Sequence, residues 1–383
     1  MDAGSGVASA TSVTEGVSGP DTGSGDAGGP GIGTGGTMGG SDTGETGGGL
    51  EPPEDCAWVV QAGVPANDWF DLAWIDEHRG FVVGPGGVAL RTQDGGETWQ
   101  PVDTGVSADF RTVSFAPPPD QDTGWIVGGI PVDSFMSGPT TVLRTTDGGL
   151  TWSPQNTSVF FPPTRVAAID AQRGWIVWGL GDAHPDGHWN RTFDGGASWL
   201  GGAAPDFVRP LRALMDVTFP DGQSGWAVGA NVVFKFTVDG MPSPSPINKV
   251  GGILHTADGG ETWEVQETDA PAGHYFRGIH MLDTERGWVV GDTGSVHATA
   301  DGGEVWTVQD SGTVQTLRDV YFASPTVGWA VGDAGTVIRT IDGGTTWIPM
   351  TSPITQTLRR IAASVSSAPP WVVGDGGVIL RCL

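Results

Sequence analysis

One nine-residue pattern, repeated six times, restricts what this chain can fold into more than any other feature. The copies are RTQDGGETW (Arg91 to Trp99), RTTDGGLTW (Arg144 to Trp152), RTFDGGASW (Arg191 to Trp199), HTADGGETW (His255 to Trp263), ATADGGEVW (Ala298 to Trp306) and RTIDGGTTW (Arg339 to Trp347). Their aspartates recur at intervals of 41 to 64 residues, in line with known propeller repeats. A second signature precedes them, a glycine followed by an aromatic and an apolar run, as in GWIVGG at Gly124, GWVVGD at Gly287 and GWAVGD at Gly328. Before that comes an alternating stretch such as LRDVYF (Leu317 to Phe322). One repeat therefore reads strand, turn, Gly-Trp strand, turn, strand, Asp-Gly-Gly hairpin, strand. Four antiparallel strands in such a span predict a propeller blade.

The hairpin has a physical reason. An aspartate at the turn accepts backbone N–H groups across the loop, and the glycines permit positive φ. Asp94, Asp147, Asp194, Asp258, Asp301 and Asp342 are thus expected to be structural, with each Trp wedged against the next blade. A calcium loop needs several spaced carboxylates, and each hairpin offers one.

A seventh blade is split between the chain ends. After Trp347, LRRIAASVSSAPPWVVGDGGVILRCL supplies three strands and stops where another hairpin would begin, while CAWVVQAGV (Cys56 to Val64) resembles TTWIPMTSP (Thr345 to Pro353). An N-terminal strand in the last blade would remove both open edges. The expected fold is all-β, a single seven-bladed propeller over 56–383 with four-stranded antiparallel blades. Aligned on the repeat, Cys382 takes the place of Thr340 and Cys56 that of Thr345, so the two are expected to form a disulfide that locks the ring. Its loop-closure entropy contributes at most about 5 kcal/mol.

Residues 1–55 are a different material. They carry nine acidic residues, no Lys or Arg, and almost no apolar bulk. Such a segment cannot offset its ordering entropy and is expected to be a disordered acidic stalk. It lacks the positive and apolar regions of a signal peptide. Subtracting its nine acids from 44 leaves 35 against 18 Lys and Arg, so the propeller is acidic as well. That balance argues against nucleic acid as a partner.

The hairpin pattern is that of the Asp-box, or BNR, repeat, and the whole blade LRDVYFASPTVGWAVGDAGTVIRTIDGGTTW resembles the photosystem II stability and assembly factor propellers. The stalk resembles linkers that follow the lipidated cysteine of bacterial surface lipoproteins. The resemblances imply a non-catalytic, exported propeller, periplasmic or on the cell surface, with a possible membrane tether through an N-terminal signal missing from this chain. They imply binding of a protein or other anionic partner, in the manner of an assembly or stability factor for a membrane complex. No cofactor is expected, and the propeller is expected to be a monomer.

The candidate partner-binding residues are Arg111, Arg165, Arg277, Arg318 and Arg359, aligned just before the first strand of five blades; Phe70 and Met215 stand there in blades one and four. That strand should line the channel, with its start opposite the Asp-Gly-Gly hairpins. Five guanidinium groups would ring one mouth and suit carboxylates or phosphates. In the family that this chain resembles, an arginine patch on one propeller face is linked to binding a client. The competing reading pairs each Arg with a nearby acid such as Asp319, bracing the blades. Long connections at 129–140, 179–189 and 230–251 should raise a rim of loops on the same face. A second row, Arg91, Arg144, Arg191, Arg339 and Arg381, reads as inter-blade packing.

Two other chemistries compete with that reading. A sialidase-like glycosidase or glycan-binding module shares the Asp-box, but the chain has only Tyr275 and Tyr321, neither in a Tyr–Glu context, and no Arg-Ile-Pro-like motif stands near residues 56–80. The stretch DAHPDGH (Asp182, His184, Asp186, His188) is a weak metal candidate, set against a plain polar loop.

Overall fold

The computed structural model describes residues 56–129, 140–157, 163–178, 188–203, 213–236, 242–268, 274–366 and 368–383. The stalk and most of the DAHPDGH stretch lie outside these; His188 opens a strand. No described helix is long and apolar enough to cross a membrane.

Seven four-stranded antiparallel sheets form the seven blades. Their first strands, in blade order, are Asp71–Trp74, Asp109–Phe115, Arg165–Ala168, Ala213–Thr218, Phe276–Met281, Leu317–Phe322 and Leu358–Ala362. In blade seven, Trp58–Val60 pairs with Ile379–Cys382 in the register Trp58↔Cys382 and Val60↔Leu380. Cys56 and Cys382 form the expected disulfide, Cα atoms 5.2 Å apart. This bond stands where the other six blades have an unbroken hairpin.

The Asp-box explains its own composition. In blade one, the Thr92 hydroxyl donates to Asp94 Oδ1 at 2.8 Å and accepts the Gly96 N–H at 2.8 Å. Asp94 also accepts the Thr98 N–H at 2.9 Å and its hydroxyl at 2.6 Å. The same lattice recurs around Asp147, Asp194, Asp258 and Asp342. At Asp301 the hydroxyl donor is replaced by Val305, which gives its N–H alone. Ser198 hydrogen bonds draw the Asp194 carboxyl down to about 2, so these side chains act as acceptors and not as acids.

The hairpin glycines are fixed twice over. Gly96 has φ 92°, and a Cβ there would stand 2.4 Å from the Trp371 ring of blade seven. The hairpin therefore tucks under the blade before it, and so does its tryptophan. Trp99 packs on Trp371 with ring centroids 6.2 Å apart, Trp152 on Phe81 at 5.8 Å, Trp199 on Trp125 at 6.3 Å and Trp263 on Trp175 at 5.7 Å. Trp306 shares a buried cluster with Trp226, Trp347 with Trp288, and Trp58 with Trp329. The expectation that each Trp meets the next blade is corrected: all seven face the preceding one. Each buried aromatic pair adds roughly 0.5–1.5 kcal/mol beyond its burial.

The second arginine row joins these seams, as expected. Arg144 donates to the Ala171 carbonyl at 2.8 Å, Arg191 to Gly260 O at 3.0 Å, and Arg381 binds Glu97. Their guanidinium carbons lie 5.6 to 5.8 Å over Trp125, Trp175 and Trp371.

Candidate functional site

The first strand of most blades carries one extra residue near its start. In blades two, four, five, six and seven the ladder skips Arg111, Met215, Arg277, Arg318 and Arg359. Bulges of this kind re-aim a side chain. Here they accompany a depression of about 240 Å³ at one channel mouth, lined by Arg111, Arg277, Arg318, Arg359, Phe70 and Met215 among others. Phe70 lies between two of the arginines: Arg111 sits 4.8 Å and Arg359 5.0 Å from its ring centroid. Going round the ring, blades five, six, seven, one and two thus contribute Arg277, Arg318, Arg359, Phe70 and Arg111.

Arg165 lines the same depression but stands one register position deeper, which corrects its alignment with the other four. Blade three has no bulge, and Arg165 pairs directly with Val177. The residues facing the equivalent valines elsewhere are Asp71, Thr112, Asp216, Gly278, Asp319 and Arg360. The spacing carried this signal: nine positions separate Arg165 from Gly174, but ten separate Arg318 from Gly328.

The deeper layer is a buried ion network. Arg360 reaches Asp71 at 3.1 Å, Asp216 at 3.1 Å and Asp319 at 3.2 Å. Arg165 reaches Asp71 at 2.7 Å and Asp216 at 3.2 Å. The carboxylates also stitch neighbouring blades: Asp71 accepts the Val113 N–H at 2.9 Å, Asp216 that of Ile279 at 3.2 Å, and Asp319 that of Ile361 at 2.8 Å. Burial lowers the Arg360 pKa, but the three carboxylates outweigh it and the net shift is upward. Burial and the charge on Asp216 raise Asp319 to about 6, even against Arg360. Arg165 and Arg360 also border a second cavity of about 310 Å³ further along the channel, with His280 and Tyr321 in its wall. Desolvation there brings His280 down to about 4 and pushes Tyr321 up to about 12. A phenol so reluctant to ionise is a poor nucleophile at neutral pH.

The rim arginines have partners, though not Asp319. Arg277 Nε meets Asp292 at 2.7 Å, Arg318 Nε meets Asp333 at 2.5 Å and Arg359 Nε meets Asp375 at 2.5 Å. Each aspartate opens the three-residue turn between the second and third strands of the same blade, so these pairs orient the arginines within blades and do not tie blades together. Arg111 approaches Asp109 at 4.0 Å. The four side chains keep 30 to 36% of their surface exposed. Among the described residues no cluster of His, Cys, Asp and Glu could hold a metal ion.

The profile described as "Photosynthesis system II assembly factor YCF48" matches residues 54–201 and 305–383, more than half of the chain. The chain belongs to the YCF48 assembly factor family. Among curated relatives, the photosystem II assembly lipoprotein Ycf48 of Trichormus variabilis is 26% identical over 298 residues, covering 62% of this chain and 85% of that protein. The Ycf48 of Synechococcus sp. strain CC9902 is 28% identical over 177 residues, 45% of this chain and only 41% of that protein. Among solved structures, a YCF48 bound to a D1 peptide superposes with a TM-score of 0.62 at 20% identity, covering 87% of this chain and 99% of the other. YCF48 from Cyanidioschyzon merolae gives 0.63 at 22%, covering 85% and 98%. At such identities the structural likeness speaks for the fold. The family profile leaves residues 202–304 unmatched, and the part that departs furthest from the repeat lies there. In blade four the second and third strands run on as Gly225–Phe236 and Pro242–Thr256. The described parts of what reads in the sequence as a loop at 230–251, residues 231–236 and 242–250, are two paired strands that form a ribbon.

Proposed function

We infer that this YCF48-family member is a non-catalytic assembly factor that binds an extended, carboxylate-bearing segment of a client protein on the arginine-lined mouth. The observation that carries this reading is the arc itself. Four guanidinium groups and one aromatic ring, supplied by five consecutive blades, border a single depression. Each of three arginines meets its aspartate through Nε, an arrangement that pre-orients a planar donor for a carboxylate. The D1 peptide held by the related YCF48 supplies the class of partner. The naming of the relatives as lipoproteins supports work at a membrane surface after export. A non-catalytic role is supported by channel carboxylates that are all bound to guanidinium groups.

Titration calorimetry of the full chain with that D1 peptide tests the reading, beside a variant carrying Arg277→Glu, Arg318→Glu and Arg359→Glu whose fold is checked by circular dichroism. The expected result is saturable binding by the wild type, weakened about a hundredfold or more in the variant, because desolvated charge pairs cost several kcal/mol when broken. Equal binding by the two proteins would move the site elsewhere.

A further inference from the structure

The ribbon of blade four has one edge built to receive another strand. The first strand of the blade ends its pairing at Ala213↔Ala230, and the fourth strand ends at Ile253↔Gln266. Beyond these points only the second and third strands continue, in the register Asn231↔Val250, Val232↔Lys249, Val233↔Asn248, Phe234↔Pro246 and Phe236↔Pro242. Among the described residues nothing pairs with either outer edge. The edges are not equivalent. Residues 242–250 hold Pro242, Pro244 and Pro246, which have no N–H to offer an incoming strand and are used to block sheet edges. Residues 231–236 read NVVFKF, with no proline and four β-branched or aromatic side chains among six, which suits a strand. Topology settles which way this edge faces. It continues the edge that pairs with the first strand of the blade, so it lies on the channel side. It also leaves the blade at the end where blades five to seven carry the turns of Asp292, Asp333 and Asp375, at the same mouth as the arginines.

We propose that residues 231–236 accept an extended polypeptide as an added strand, and that this ribbon is the specificity element of this chain. The proposal rests on the binding mode inferred above, with the carboxylate of the same peptide on the arginine arc. The arc has Thr164 and Met215 at the mouth in blades three and four, where the charged lining residue, Arg165, is already engaged by Asp71 and Asp216, and the ribbon rises from blade four. Strand addition takes its affinity from main-chain hydrogen bonds and suits a client segment that is extended and unfolded. Both lysines of the chain, Lys235 and Lys249, stand on the ribbon, a local positive pair in a protein of net charge −26 that suits a carboxylate of the partner at that spot. The ribbon lies in the stretch that the family profile does not match, so it adds to the shared propeller.

The test replaces residues 231–250 by the turn Asp-Ala-Gly of blade six and repeats the titration with the D1 peptide. A second measurement follows amide hydrogen exchange of the unaltered full chain with and without peptide. The expected results are a dissociation constant raised about tenfold or more in the replacement variant and slowed exchange at residues 231–236 in the wild type. Unchanged affinity together with unchanged exchange overturns the ribbon while leaving the arginine reading intact, provided the arginine variant has lost binding. Loss of binding in the ribbon variant but not in the arginine variant sinks the arc and keeps the ribbon. Should the ribbon variant fail to fold, exchange in the wild type decides alone: protection at 231–236 supports strand addition, and none rejects it. A wild type that does not bind overturns both.

Discussion

Arg359 and Arg360 are neighbours in one strand, and their roles are opposite. Arg359 is the bulged residue, about a third exposed, paired with Asp375 of its own blade and lying against Phe70. Arg360 points into the channel with 11% of its surface exposed and binds carboxylates from blades one, four and six. A single bulge separates a guanidinium left partly exposed at the mouth from one consumed in holding the ring. The difference teaches that charge count does not locate a binding face in a repeat protein. What distinguishes the two layers is whether the counter-charges come from the same blade or from across the channel.

Removing Arg360 gives the largest expected effect. Arg360→Met leaves Asp71, Asp216 and Asp319 buried with Arg165 as their remaining cation, and breaking a buried pair from one side costs about 3–5 kcal/mol. Urea denaturation should show that loss, and Asp319→Asn added to the same chain should recover part of it by removing one stranded charge. A loss under about 1 kcal/mol would mean that the two layers do not differ as described.

The buried layer should also show itself in acid. His280 has a folded-state pKa near 4 against an ordinary 6.5. Between those values the unfolded chain binds the proton and the folded one does not, so its contribution to stability falls as pH drops from 6.5 to 4. Asp319 sits near 6 against 3.8. The folded state there binds the proton first, so its contribution rises as pH drops from 6 to 4. Each is worth about 3 kcal/mol, and the two act in opposite directions across that window. His280→Phe should tilt the profile toward greater stability in acid, and Asp319→Asn should tilt it the other way. Parallel profiles for the three proteins would show that the channel is not the desolvated place described here. Below about pH 4 the Asp-box carboxylates such as Asp147, held near 2, add a common loss in all three.

Much of this layering could be read from the repeat, and part of it could not. The six hairpins and the two cysteines report on local turns and on the seam, and the structure agrees with both. The four rim arginines are legible because each follows a buried Phe or Leu at the start of its first strand, Phe110, Phe276, Leu317 and Leu358. Arg165 was misplaced because blade three lacks the extra residue, and a match by residue type absorbed the shift. The buried network was missed for a different reason. Its members at one register position are Asp71, Thr112, Arg165, Asp216, Gly278, Asp319 and Arg360, and no consensus survives when charges must complement one another across a channel. Three carboxylates and two guanidinium groups complement one another there while the residue type changes from blade to blade. The ribbon of blade four escaped for a third reason: its prolines read as a loop, whereas at a sheet edge proline is tolerated.

The smallest change in stability is expected from a rim arginine. Arg359→Ala removes one half-exposed ion pair and one cation–π contact with Phe70, each worth up to about 1 kcal/mol near a surface. Asp375, its turn aspartate, regains water when the pair is lost, so no buried charge is stranded. Urea denaturation should therefore register a shift of about 2 kcal/mol or less, while peptide affinity drops at least about tenfold, as happens when one charge of a desolvated pair is removed. The two readouts separate the uses an arginine can have here. A stability loss matching that of Arg360→Met, with affinity unchanged, would make the rim a second structural ring. Affinity lost at nearly constant stability would leave the bulge with one purpose, to turn a side chain out of the lattice that holds the blades and toward whatever the mouth receives.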